Sequence, residues 1–272
     1  MLAKTVFLEM YSLFYDHLIG LPASQAKYLS FDQYNIPSDI ARGFRWFIYY
    51  HMAQDFTREL LNEINGFMTD IRSLDAWSKV NNQCPKDHKA DLTIEILGPA
   101  ASSTINRVYV VKQRLIYVSF MLLHQTIMII DPSRKDSHLV EKDININTLS
   151  QLNSTSINIT ELKRSLRKID DNSFRNKSRN FRSSYQHKIP PNIEIGLSAF
   201  VTRNDKEKGK ISYGLGGQEP LTIKDILPIL YEQHEICVSA FHQVWKSLNE
   251  QLDIWKRKMP ITTEAKMETY LD

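Results

Sequence analysis

Arg182 and His187 are the residues of this chain whose types and spacing fit chemistry on a phosphate. They close a basic run, Lys163 to Lys188, that holds nine lysines and arginines against two acids, Asp170 and Asp171, while the whole chain carries a net charge of only +3. The positive field is therefore concentrated in one segment, and concentrated positive charge attracts phosphates. Cleavage of RNA needs no metal when one group moves the proton of a 2′-hydroxyl and a cation stabilises the charge that builds on the phosphate. A histidine and an arginine suit these two roles. His187 falls in the last turn of the helix expected here, where the negative end of the dipole favours an imidazolium and hence general-acid duty.

Arg175, Arg179 and Arg182 are spaced by four and three residues, which on one helix puts three guanidinium groups on one stripe. Arginine matches phosphate with a planar fork of donors, and Phe181 and Tyr185 offer faces on which unpaired bases stack. Arg175, Arg179, Lys188 and Tyr185 are thus the candidate nucleic-acid contacts beside the catalytic candidates Arg182 and His187. A solvated helix face whose arginines pair with acids elsewhere accounts for the same stripe. On an unbroken helix an offset of five residues turns two side chains about 140° apart. Either the helix breaks, or two protomers share the site.

Chance alone supplies about one Arg-x(4 to 6)-His match in a chain with this many arginines and histidines. A second match, Arg45 to His51, is present, and its apolar surroundings read as a core pair. Cys84 and His88 lack a partner pair for a metal, and the two cysteines lack the spacing of a zinc site or a disulfide framework. The sequence predicts no metal and no cofactor. Gly214-x-Gly-Gly217 lacks the strand, helix and lysine of a phosphate loop and reads as a hairpin exit. His234 and His242 face similar directions on the last helix and read as core or surface histidines. No serine, histidine and acid grouping suggests a hydrolase triad.

The elements that position these residues are mostly helical. Nine glycines and ten prolines in 272 residues leave few tight turns, which argues against a β-sandwich or a glycine-rich nucleotide fold. Apolar spacing predicts a first helix through Phe7 and Leu18, ending near Gly20. A long second helix capped by Ser38 runs through Phe44 and Leu74, bent or divided at Gly66. A third follows, capped by Ser102 or Ser103, through Val108 and Ile129. The tract from Arg134 to Ser156 reads as loop with at most short structure. A fourth helix is expected from Thr160 to about Lys188, stopped because Ile189 precedes a proline. Ile193 to Phe200 alternates as a strand and returns through Ile211 to Leu215. From Thr222, with Asp225 three residues on, a last helix reaches Trp255, and the tail after Pro260 is expected to fray. The expected fold is all-α, an antiparallel helical bundle with a small β-hairpin inserted between its last two long helices, forming one domain over 1–272.

Glu9 and Asp16 break the apolar stretch of the N-terminus, so no secretion signal is read there. Leu115 to Ile130 is short of the roughly 20 apolar residues of a bilayer span. A cytoplasmic location without a membrane is expected.

At Arg182-x4-His187 late in a helix, followed by Lys188-Ile-Pro-Pro-Asn-Ile-Glu-Ile-Gly196 and by Pro220-Leu221 before another long helix, the chain resembles the HEPN superfamily. These are all-α domains that include metal-independent ribonuclease toxins of bacterial conflict systems. It is similar to an uncharacterised bacterial branch with a hairpin between those helices. The resemblance covers about residues 102–256, with the N-terminal helices, about 5–82, packed on that part. It implies a homodimer in which Arg182 and His187 of two protomers meet in a shared cleft, RNA as substrate, and an antitoxin or other protein as partner. Ser183 stands where the family usually has Asn, Asp or His. Two functions follow: a metal-independent endoribonuclease acting as toxin or antiviral effector, or a non-catalytic module that binds nucleotides, nucleic acid or a protein.

Overall fold

Apolar residues at three- and four-residue spacing dominate the sequence, and in the computed structural model, which describes residues 4–36, 43–152, 159–207 and 210–259, they form helices. The order is α1 (Lys4–Ile19), α2 (Phe44–Gln83), α3 (Lys86–Leu92), α4 (Gly98–Ile130), α5 (Ile159–Lys168), α6 (Asn172–Lys177), α7 (Phe181–His187), a hairpin of β1 (Val201–Glu207) and β2 (Lys210–Leu215), and α8 (Ile223–Lys258). The fold is an all-α bundle with a β-hairpin inserted ahead of the last helix. The chain gathers into two compact units, one from Met1–Tyr28, Asn65–Val110 and Ile169–Glu235, the other from Leu29–Ile64, Val111–Lys168 and Ile236–Asp272.

In the first unit, Phe14 of α1 stacks on Trp77 with ring centroids 4.5 Å apart. Arg72 reaches the carbonyls of Leu18, Leu21 and Pro22 at 3.1–3.4 Å, satisfying acceptors that the end of α1 leaves open. Gly66 does not divide α2, which runs unbroken through it. A Cβ there would lie 2.8 Å from Nη2 of Arg107, whose guanidinium bonds Asp70 one turn further along α2. Glycine at this position makes room for a cross-helix ion pair.

In the second unit, Trp255 stacks on Tyr49 at 4.5 Å around a buried polar cluster. The Tyr49 hydroxyl donates to Gln251 Oε1 at 3.1 Å, Trp255 Nε1 donates to Thr126 Oγ1 at 3.0 Å, and Gln251 Nε2 donates to Ser247 Oγ at 3.2 Å. Paired in this way, the polar atoms are buried without loss of hydrogen bonds.

Several expectations shift by a turn or more. The third helix starts at Lys86 rather than Ser102, because a π turn, Thr93–Leu97, absorbs Gly98-Pro99, with Gly98 N–H bonding Thr93 O. Proline removes one ladder bond and crowds the preceding turn, and the wider turn relieves both. The run Lys86–Ile130 is long and apolar enough to cross a membrane by length and composition, and 56% of its most apolar window is buried in the fold, as for a core helix. After Asp131, whose Oδ1 accepts from Ser133 N and Oγ, the tract is loop with only short structure, as expected, in 3₁₀ turns at Asp136–His138, Glu141–Asp143 and Thr148–Leu152. Arg45 and His51 are both exposed, so they are not a core pair. Their apolar neighbours include exposed Phe47, against whose ring His51 packs at 4.3 Å. His234 is buried against Phe67, whereas His242 is exposed and bonds the Tyr34 hydroxyl at 2.8 Å. The Ser38 cap and the tail after Pro260 lie outside the described residues.

Candidate nucleic-acid interface on the broken basic segment

The basic segment is three short helices and not one. α5 ends at Lys168 and is followed by Asp170 at φ 49°; α6 ends at Lys177 and is followed by Arg179 and Asn180 at φ 51° and 55°. Left-handed residues cannot continue a right-handed helix. Asp171 restarts the chain as N-cap of α6, its Oδ1 accepting from Phe174 N at 2.8 Å. Phe174 and Phe181 then anchor α6 and α7 in the core, Phe181 with 1% of its surface exposed. Phe181 is therefore a packing residue and offers no face to a base.

With the helix broken, the three arginines leave their common stripe, and each has its own partner. Arg175 grips Asp170 with two bonds, Nε to Oδ1 at 3.2 Å and Nη2 to Oδ2 at 2.8 Å. Asp170 is 4% exposed, and its hydrogen bonds hold the Arg175 pKa above the ordinary guanidinium range. Arg179 donates to the carbonyl of Glu219, tying the segment to the approach of α8. The Arg182 guanidinium carbon sits 3.1 Å from the centre of the Tyr109 ring, a cation–π contact, and its buried Nε has no hydrogen-bond partner among the described residues.

The break comes before Arg182, so Arg182 and His187 stay together on α7 and keep their angular separation of about 140°. His187 and Lys188 are exposed at the C-terminal end of α7. Tyr185, 54% exposed, stacks on Phe181 with centroids 5.9 Å apart and turns its outer face to solvent. Tyr185, His187 and Lys188 are each exposed and put one aromatic ring, one imidazole and one ammonium at the end of α7. Sequence reasoning missed Asp170 and Tyr109, the partners that take Arg175 and Arg182. The aspartate five residues before Arg175 was a readable signal, whereas nothing local in the sequence points to Tyr109.

The segment after α7 differs from expectation as well. Ile193 and Ser198 make isolated bridges to Leu221 and Gln218, and the regular strand begins only at Val201. Cross-strand partners Val201 and Leu215, and Arg203 and Tyr213, share one face. That face is exposed, Tyr213 at 68% and Leu215 at 77%. Gly216 and Gly217, at φ 159° and 22°, form the hairpin exit. A Cβ on Gly217 would meet Leu197 at 2.9 Å. Glu194 Oε1 accepts from Ile223 N at 2.5 Å, and Thr222 and Asp225 bond each other as a capping pair at the start of α8.

Cys84 is buried, with its thiol on the carbonyl of Pro85, and no group of three or more metal-ligating side chains occurs among the described residues. Comparison with protein-family models, with curated proteins and with solved structures found no match to this chain.

Proposed function

We propose that the chain is a HEPN-like helical module that binds RNA, or a comparably phosphate-rich partner, on the exposed end of α7 without cutting it within one protomer. The observation that carries this reading is the contrast along α7, with Arg182 held on Tyr109, and with Tyr185, His187 and Lys188 exposed towards its C-terminal end. Binding needs only an exposed stacking face beside cations. Cleavage needs the arginine and the histidine at one phosphate.

The test is fluorescence anisotropy on a labelled single-stranded RNA across a salt series. Lys188→Glu is expected to weaken binding and to reduce the salt slope by about 0.7 for one lost phosphate contact. Tyr185→Ala is expected to cost about tenfold through lost stacking. Wild-type affinity in both variants, or RNA cut in the presence of EDTA, sinks the proposal.

A second reading, the two-protomer endoribonuclease, is favoured by one observation, the exposed apolar hairpin face of Val201, Tyr213 and Leu215 just after α7. A second copy of the chain seated there would supply the missing half of the site. This reading expects a dimer by light scattering and EDTA-resistant cleavage that leaves cyclic-phosphate ends. It also expects partial activity on mixing inactive Arg182→Ala and His187→Ala proteins. A monomer, or no rescue on mixing, removes it.

A further inference from the structure

In the second unit a cavity of about 560 Å³ opens beside Trp255. This volume falls within the roughly 300–1,000 Å³ typical of small-molecule sites. Four cations from three parts of the chain line it: Arg45 of α2, Arg134 and Lys135 of the segment after α4, and Lys258 of α8. Its apolar lining includes Met128 and Ile129 of α4. The one acid among the lining residues, Asp136, is engaged, its Oδ1 lying 3.1 Å from His124 Nε2 and 3.2 Å from Gln125 Nε2. Arg134 Nε also lies 3.9 Å from Asp131 Oδ2.

Helix electrostatics explain only part of this cluster. Lys258 in the last turn of α8 complements the negative end of that helix. Arg45 does the opposite, because it stands in the first turn of α2, where the helix dipole already presents positive charge. Like charges gathered around one cavity repel, and an anion relieves that repulsion. Apart from Trp255 the apolar lining is aliphatic and thioether, with Ile48, Met128 and Ile129, groups that adapt to a flexible chain.

We propose that this cavity binds an organic phosphate monoester with an aliphatic body, the doubly charged head among the four cations and the body against Met128 and Ile129. The lining shares no residue with α7, and neither proposal depends on the other. The experiment is calorimetry, with tryptophan fluorescence in parallel, on the full chain with n-decyl phosphate below its micellar concentration. Inorganic phosphate, ATP and phosphatidic-acid vesicles are the comparison arms. Decyl phosphate is expected to bind at micromolar concentration and inorganic phosphate at least a hundredfold more weakly. Arg45→Glu and Lys258→Glu are expected each to lose tenfold or more. Both positions are exposed, and circular dichroism checks that the variants fold. Lys188→Glu on α7 leaves this affinity unchanged. Undiminished binding in both charge-reversal variants overturns the site. Tighter binding of ATP overturns the aliphatic body, and binding to vesicles in place of the monomer overturns a free metabolite as the ligand.

Discussion

At the scale of single residues, the pairing of Arg175 with Asp170 separates a structural cation from a binding one. The carboxylate is buried and the guanidinium is half exposed, so the two partners are not equivalent. Removing the arginine strands a buried charge, whereas removing the carboxylate returns the arginine to water. Arg175→Met is expected to cost about 2 kcal/mol. Asp170→Asn is expected to cost less than about 1 kcal/mol, because asparagine also tolerates the left-handed backbone. Urea unfolding of the two variants checks this, and equal losses would refute it. Gly66 supports a second test. Alanine in a helix interior gains about 0.5–1 kcal/mol over glycine. Here the added methyl displaces the Arg107 guanidinium that bonds Asp70, so the gain is expected to vanish in the wild type and to return in an Arg107→Met background. A double-mutant cycle showing no coupling would show that the methyl and the guanidinium do not compete.

At the scale of elements, the break before α7 decides what the basic segment presents. Arg179 and Asn180 both hold positive φ, a conformation that costs a β-branched residue about 1–2 kcal/mol. Asn180→Val is expected to lower stability by that amount and Asn180→Gly to leave it unchanged, read as the shift in the thermal midpoint. A midpoint unchanged by valine would mean that the turn is not held in the left-handed region. The same residues show where sequence reading ends. α1, α2 and α8 are legible because Phe14, Ile64, Leu230 and Leu248 recur at helical spacing over many turns, and the Thr222 and Asp225 pair marks the start of α8. The breaks at Asp170 and at Arg179-Asn180 carry no glycine or proline, so the charge pattern runs through them as if the helix were whole. The stripe from Arg175 to Arg182 runs across the second of these breaks, which the charge pattern does not mark. The hairpin was legible as an element but displaced, because exposed Leu197 and Phe200 continue the alternation that only Val201 to Leu215 uses as a ladder. Of the site, the exposure of Lys188 and Tyr185 follows from the proline stop and the polar neighbours. The capture of Arg182 by Tyr109 depends on a contact distant in sequence.

At the scale of the whole molecule, stability is set to fall on the alkaline side. The Cys237 thiol and the Tyr49 phenol are fully enclosed, and burial pushes both pKa values far above their ordinary ranges. Burial raises the Cys84 thiol in the same direction. A group raised on folding keeps its proton in the native state while the unfolded chain releases it. Its contribution is therefore complete below the unfolded pKa and declines as pH climbs from there towards the folded one. The unfolded thiols titrate near 8.5 and the phenol near 10. Stability is thus expected to hold from pH 7 to about 8.5, then to fall by about 1.4 kcal/mol per pH unit for each fully buried group that the unfolded chain has ionised. The slope steepens beyond about pH 10, where Tyr49 joins Cys237. Urea midpoints measured from pH 7 to 10.5 read this directly. Replacing both cysteines with alanine should flatten the first part of the decline and leave the second, which belongs to the phenol on Gln251. A midpoint that stays level through pH 9.5 in the wild type would mean that the thiols are not held protonated by the core.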